Sequence, residues 1–259
     1  MIEKQRLLRT IVDAALEAGA EIERIYGAGC AAEVKLDGSP VTEADTRAEE
    51  IILARLAEAY PDIPVLAEEE ACAGRIPELD RLFFLVDPLD GTKGFLQRNG
   101  EFTVNIALVE AGEPVVGVVY APDSRALYYG ARGEGAFRSL AGGEPVRIGC
   151  RPRPASGLTA IGSRNHHAAG TEERLAALGV TDFMPAGSSM KFCLLAEGSA
   201  DVYARYGRTM EWDTGAGQAV LEAAGGRVMA LDGDAEAGPL RYGKKDLEFA
   251  NPHFIAWGA

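Results

Sequence analysis

Histidine is scarce in this chain, with three in 259 residues, and two of these, His166 and His167, are adjacent. The four cysteines, Cys30, Cys72, Cys150 and Cys193, include no C-x-x-C pair. No zinc motif can be assembled from such a set. Four cysteines in a chain of this length do not make a disulfide framework either, and a reducing cytoplasm is the simpler setting. Each is expected as a small buried hydrophobe. Positive charge is also short: 26 Lys and Arg stand against 39 Asp and Glu, a formal net charge of −13. Such a surface repels nucleic-acid backbones and anionic membranes, so no nucleic-acid polymer is expected as a partner. Long apolar runs are missing. None approaches the ~18 residues of a membrane span, and integral membrane association is not expected. The N-terminus scatters charges through its apolar residues and does not read as a signal peptide. A cytoplasmic location follows, with a peripheral place at the inner membrane face left open.

What is present is enough apolar material for a sizeable core, 47% of the chain. The length suits one compact unit of two subdomains or one large α/β domain. Leu7, Ile11, Ala15, Ile22 and Ile25 recur at helical spacing and predict a long amphipathic helix ending near Gly27. A second helix should begin after Thr42, where Thr42 and Asp45 form a capping-box-like pair, and stop at Pro61. Short strands follow at 65–67, 82–86, 104–109, 115–120, 126–129 and 135–138. The Gly-, Pro- and Arg-rich stretch 140–157 is the candidate boundary between halves. Beyond it, strand and helix alternate as far as Leu231, an α/β half after an α+β half.

The densest chemical signal is Val86-Asp87-Pro88-Leu89-Asp90-Gly91-Thr92. Asp87 and Asp90 sit at the carboxyl end of an apolar strand, where α/β proteins bind ligands. Gly91 permits close backbone approach, and a helix starting near Thr92 would offer free N–H groups to a phosphate. Two carboxylates on one turn suit hard divalent cations, and paired magnesium ions clamp an in-line phosphoryl displacement. Such ions would also reverse the sign of an acidic pocket. Each piece has a plainer reading alone. Asp87–Gly91 is also an ordinary Asx-type turn. Glu68-Glu69-Glu70 is also a solvated acidic loop, and Asp45 and Asp213 are also helix-terminal charges or caps.

The residues around 82–109, with Leu66–Glu69 upstream and Trp212-Asp213-Thr214 and Gly225-Gly226 downstream, resemble the signature of the inositol monophosphatase superfamily. The stretches Ser39–Thr42, Asp90–Lys93, Arg98–Asn105, Val118–Pro122, Ser163–His166 and Gly187–Cys193 resemble its CysQ-type 3'(2'),5'-bisphosphate nucleotidase branch. The resemblance covers nearly the whole chain. It implies a layered αβαβα sandwich of the inositol monophosphatase and fructose-1,6-bisphosphatase type, with the active site between two halves. Residues 1–145 would form an α+β subdomain with most metal ligands, and residues 146–259 an α/β subdomain with Asp213 and the selectivity loops.

The resemblance also implies roles. Glu68, Asp87, the carbonyl of Leu89, Asp90 and Asp213 would hold two or three Mg2+ ions, with the choice among Glu68, Glu69 and Glu70 open by one position. Thr92, held by Asp45, would orient the attacking water together with Glu68. The backbone of Gly91 and Thr92 would receive the scissile phosphate. Ser163, Arg164, His166, Ser188, Lys191 and Arg205 would face the rest of the substrate, although Ser163–His166 also reads as a polar loop and Lys191 as an exposed helical lysine. The expected substrate is a small phosphorylated nucleotide, 3'-phosphoadenosine 5'-phosphate, converted to AMP and phosphate, and lithium should inhibit. Inositol 1-phosphate or a broad range of sugar phosphates is the alternative, and a non-catalytic nucleotide- or metal-sensing protein a remote one. Monomer and homodimer are both open. Gly94, Ala67 and Asn165 depart from the family pattern, and Gly94 would widen substrate range.

Overall fold

The apolar stripe of the first segment folds as α1 (Lys4–Ala28), burying Leu7, Ile11, Ala14, Ala15, Ala18, Ile22 and Ile25. The structure is a computed structural model, and it describes residues 3–35, 38–163 and 170–259. A two-stranded hairpin, β1 (Ala32–Val34) and β2 (Pro40–Thr42), leads into α2 (Glu43–Ala59), which Thr42 and Asp45 open with a full capping box.

The first sheet has seven strands in sequence order. They are β3 (Val65–Ala67), β4 (Leu82–Asp90), β5 (Thr103–Glu110), β6 (Glu113–Ala121), β7 (Ala126–Ala131), β8 (Gly135–Leu140) and β9 (Val146–Ile148). Short helices α3 (Glu68–Cys72) and α4 (Thr92–Leu96) follow β3 and β4. Only β3 and β4 run parallel; the rest is an antiparallel meander. Ala111 and Gly112, with φ of 53° and 77°, make the tight β5–β6 turn whose handedness matches strand twist. Because β9 pairs with β8, this sheet continues past residue 145, where the halves were expected to divide.

The second sheet has six strands in the order β11-β10-β12-β15-β13-β14. They are β10 (Leu158–Gly162), β11 (Val180–Pro185), β12 (Val202–Arg205), β13 (Arg227–Asp232), β14 (Ala235–Pro239) and β15 (Phe254–Trp257), interleaved with α5 (Thr171–Ala177), α6 (Met190–Ala196) and α7 (Gly215–Ala223). The strand–helix rhythm does give parallel pairs, β10–β11 and β10–β12. The last strand, β15, then enters antiparallel to both β12 and β13. Sequence reading missed β14 and β15, which are short and lie outside the strand–helix rhythm.

Three apolar clusters separate five layers. One lies between α1–α2 and the first sheet, with Phe84 and Phe102 wholly buried. Each such side chain contributes roughly 1.5–3 kcal/mol of burial free energy. A second cluster surrounds α6 and α7 between the sheets, and a third joins α5 to the second sheet. The result is the expected αβαβα sandwich. Glycines set how closely α7 packs: a Cβ on Gly217 would lie 2.4 Å from the Phe192 ring, and one on Gly117 of β6 would lie 2.5 Å from the Ala216 carbonyl. No helix among the described residues is long and apolar enough to cross a membrane.

Candidate active site

The site begins with a bulge in β4. Asp87 lies opposite Asn105 and Asp90 opposite Thr103, so β4 spends one residue more than β5 over the same span. Residues three apart on a regular strand face opposite sides. The extra residue turns both aspartates to one side. Asp87 is only 1% exposed, and Leu89 N donates to its Oδ1 at 3.1 Å. The expected strand 82–86 thus runs on to Asp90.

Glu68 arrives from the neighbouring strand. β3 pairs parallel to β4 with Ala67 beside Val86, so Glu68 and Asp87 emerge side by side at the carboxyl ends of two adjacent strands. Lys35, beside the β1–β2 hairpin, places its ammonium 2.7 Å from Glu68 Oε1 and 2.6 Å from Glu69 Oε1. Burial depresses the Lys35 ammonium, but the two glutamates outweigh it and hold it protonated. Glu70 turns outward to Arg75. The triplet therefore separates, and Glu68 is the member beside Asp87. Glu49, on α2, accepts from Glu69 N at 2.8 Å and Glu70 N at 2.9 Å.

Thr92 opens α4 after Gly91, whose φ of 94° is left-handed. Glycine is required there: a Cβ would lie 2.6 Å from the Glu101 carbonyl. Thr92 Oγ1 donates to Asp45 Oδ1 at 2.9 Å. Asp45 Oδ2 accepts from the Thr42 backbone at 2.8 Å and from Thr42 Oγ1 at 2.7 Å. The capping role and the threonine-holding role considered for Asp45 coexist on its two oxygens.

From the second half, Asp213 precedes α7. It is not the helix cap, which is Thr214; Asp213 Oδ2 instead accepts from Met210 N at 2.8 Å and closes a local turn. Burial, with Asp90 and Glu68 nearby, pushes the Asp213 carboxyl up to about 8. Burial, Glu68, Asp90 and Asp213 raise Asp87 well above the carboxylate range. Glu68 is raised by burial against the pull of Lys35. Four carboxylates are therefore crowded into electrostatic contact with too little positive charge to balance them.

Ser188 Oγ donates to Asp90 Oδ2 at 2.8 Å and pairs closely with Thr103 Oγ1. Lys191 is buried, contrary to the exposed-lysine reading, because α6 starts at Met190 and turns this residue inward. Its ammonium donates to the Ser188 carbonyl at 2.6 Å and lies over the Tyr203 ring. Burial lowers it to about 8. Arg205, at the end of β12, acts electrostatically on Asp213 and Lys191, and its Nε is buried without a partner among the described residues. Ser163 follows β10, half-buried. Arg164 and His166 lie outside the described residues.

Sequence reading gave no role to Lys35, Glu49, Thr103 or Asn105. Thr103 and Asn105 are fully buried on an otherwise apolar strand, which was a readable signal: polar residues two apart share a face. Glu49 lies one helical turn beyond Asp45, also readable. Lys35 carried no signal, since only the hairpin brings it to Glu68. Among the described residues, no three acidic, cysteine or histidine side chains converge closely enough to grip one ion as they stand. Glu68 is drawn to Lys35 and Asp90 to Ser188. The donor set nonetheless fits a hard divalent cation in kind: it is all carboxylate and carbonyl oxygen, buried at Asp87 and Leu89 and half-buried at Glu68, Asp90 and Asp213, and short of counter-charge.

The inositol monophosphatase family model matches residues 3–257. The chain belongs to the inositol monophosphatase family. Among curated family members, it is 43% identical over 250 residues to the 3'(2'),5'-bisphosphate nucleotidase CysQ of Salmonella typhimurium, covering 96% of this chain and 98% of that protein. It is 42% identical to the CysQ of Escherichia coli K12 over the same shares. The crystal structure of CysQ from Bacteroides thetaiotaomicron superposes with a TM-score of 0.80 at 38% identity, covering 98% of this chain and 97% of the other. An inositol monophosphatase from Anabaena superposes at 0.75 with 26% identity, covering 98% and 90%.

Proposed function

We propose that this chain is a magnesium-dependent 3'(2'),5'-bisphosphate nucleotidase that hydrolyses the 3'-phosphate of 3'-phosphoadenosine 5'-phosphate to AMP and phosphate. The observation that carries the reading is the carboxylate cluster of Glu68, Asp87, Asp90 and Asp213, with Asp87 buried and the others half-buried, beside a threonine whose hydroxyl donates to Asp45. Relatives sharing over 40% of residues along almost the whole chain are named 3'(2'),5'-bisphosphate nucleotidases, which supports a bisphosphorylated nucleotide as the substrate class.

In this reading Glu68, Asp87, the Leu89 carbonyl, Asp90 and Asp213 would hold the metal. Bound magnesium supplies Lewis-acid activation of water and neutralises charge on the leaving oxygen. The chain's own residues do the rest. Thr92 donates to Asp45, so its oxygen lone pairs face outward as an acceptor that aligns a water. Glu68, adjacent to Asp87, takes up hydrogen bonding from the same water. The Gly91–Thr92 backbone receives the scissile phosphate. No nucleophilic side chain is needed, and the step is direct displacement by water, driven by positioning and electrostatics.

Lys191 and Arg205 are the cations on the second half's side of the cluster, and a bisphosphate needs charge away from the metals. With Ser188 they are assigned to the nucleoside and its second phosphate, together with Ser163, Arg164 and His166. The work divides between the half built on the first sheet, through β9, with most ligands, and the half that follows it, with Asp213 and the selectivity residues. A place in the cytoplasm accords with the reading.

The test is phosphate release with magnesium from 3'-phosphoadenosine 5'-phosphate, inositol 1-phosphate and fructose 1,6-bisphosphate at equal low concentration, each with and without lithium. A strong preference for the nucleotide, lost with lithium, is expected. Preference for the inositol or sugar ester would discard the substrate assignment and leave the metal reading intact.

A further inference from the structure

We propose that Glu49 is a positioning residue for the magnesium site, fixing the place of Glu68 through the first turn of α3. The inference rests on the metal reading above. Glu49 is 3% exposed, and both its carboxylate oxygens are spent on backbone: Oε2 accepts from Glu69 N and Oε1 from Glu70 N. Its carboxylate makes no ion pair among the described residues, and its charged neighbours Glu68 and Glu70 repel it. Burying a carboxylate in such company is unfavourable unless it satisfies donors that would otherwise be left bare.

Those donors belong to α3. Its cap position is Ala67, which offers no side-chain acceptor. A serine, threonine or aspartate there would cap the helix locally. Glu49 caps it instead from another helix, and so ties α3 to α2. The same face of α2 carries Asp45, one turn earlier, which holds Thr92. Four residues of helix rise about 6 Å. That stretch of α2 acts as a rigid spacer, with Thr92 attached at one end and the turn bearing Glu68 at the other. The residue that aligns water and the residue that meets the metal are thereby referenced to one helix.

The experiment is calorimetric titration of Mg2+ into the wild type, Glu49→Gln, Glu49→Ala and Asp87→Asn, with circular dichroism and melting curves on each. Supporting residues behind metal ligands typically contribute 10–100-fold in affinity. Glu49→Ala should therefore weaken Mg2+ binding about 10-fold or more. Glu49→Gln, which keeps one acceptor oxygen, should weaken it less. Michaelis constants for substrate at saturating magnesium should stay unchanged. If Glu49→Ala does not fold, Glu49→Gln carries the test alone. Wild-type Mg2+ affinity in the folded variants, with only the melting temperature lowered, would make Glu49 a structural cap and overturn the inference. Failure of the wild type to bind Mg2+, or full binding by Asp87→Asn, would instead sink the metal reading and the inference with it.

Discussion

Thr92 Oγ1 and Asp45 Oδ1 lie 2.9 Å apart, and the second oxygen of the same aspartate closes the capping box of α2. One carboxylate thus serves the helix and the chemistry together. Asp45→Asn retains one acceptor oxygen and must abandon either Thr42 or Thr92. Turnover should fall by about 10²-fold or more, the usual scale for a lost proton-orienting group. The melting temperature should fall only by what a weakened cap contributes, ~1 kcal/mol. Measuring kcat beside thermal stability separates the two; equal small losses in both would contradict the dual role.

The crowded carboxylates set a pH dependence for the metal-free protein. Burial and neighbouring acids raise Asp213 from 3.8 to about 8, and burial raises Glu49 and Glu69 from 4.5 to about 7. Between those limits the native state holds protons that the unfolded chain has released, so stability falls as pH rises. Melting temperature in EDTA should therefore decline from about pH 5 to pH 8. Magnesium should add more stability at pH 8 than at pH 5.5, because its binding displaces those protons. A magnesium-free melting temperature that rises across this window would contradict the assignment.

Ser188 holds a left-handed φ of 52° while its hydroxyl bonds Asp90. Two effects oppose each other there. Ser188→Ala keeps the backbone cost and loses the hydrogen bonds, whereas Ser188→Gly relieves roughly 1–2 kcal/mol of left-handed strain. The glycine variant should melt higher than the alanine variant. Equal melting temperatures for the two would show that the backbone is unstrained.

Gly94 has a structural reason of its own. A Cβ there would lie 2.7 Å from the Glu101 carbonyl and 2.8 Å from Asn99 Oδ1. Gly94→Ala should destabilise by roughly 1–3 kcal/mol, the usual scale of overpacking, and shift the loop that abuts Gly91. Unchanged melting behaviour would mean that the loop moves aside at no cost.

Much of this was legible in the chain. The α1 stripe, the Thr42–Asp45 box and the continuous apolar run of β4 each obey one local rule, and the structure keeps them. The Asp87–Asp90 pair was legible as chemistry, but the bulge that makes the two aspartates convergent was not. It depends on β5, whose Thr103 and Asn105 set the register from 13 residues or more away. Local rhythm also misled: Leu158 to Leu231 reads as a parallel α/β half until β15 inserts antiparallel. Lys191 departs from its local reading for the same reason, since packing turns the expected exposed lysine inward. Lys35 had no local signal, since its partners lie 33 and 34 residues away.

The central claim is that the clustered carboxylates are a magnesium site for phosphate release. Phosphate release from 3'-phosphoadenosine 5'-phosphate should be measured against magnesium concentration for the wild type and for Asp90→Asn. The account predicts saturable dependence on magnesium in the wild type and loss of turnover in the variant at every magnesium concentration. Turnover by Asp90→Asn at the wild-type rate would contradict it.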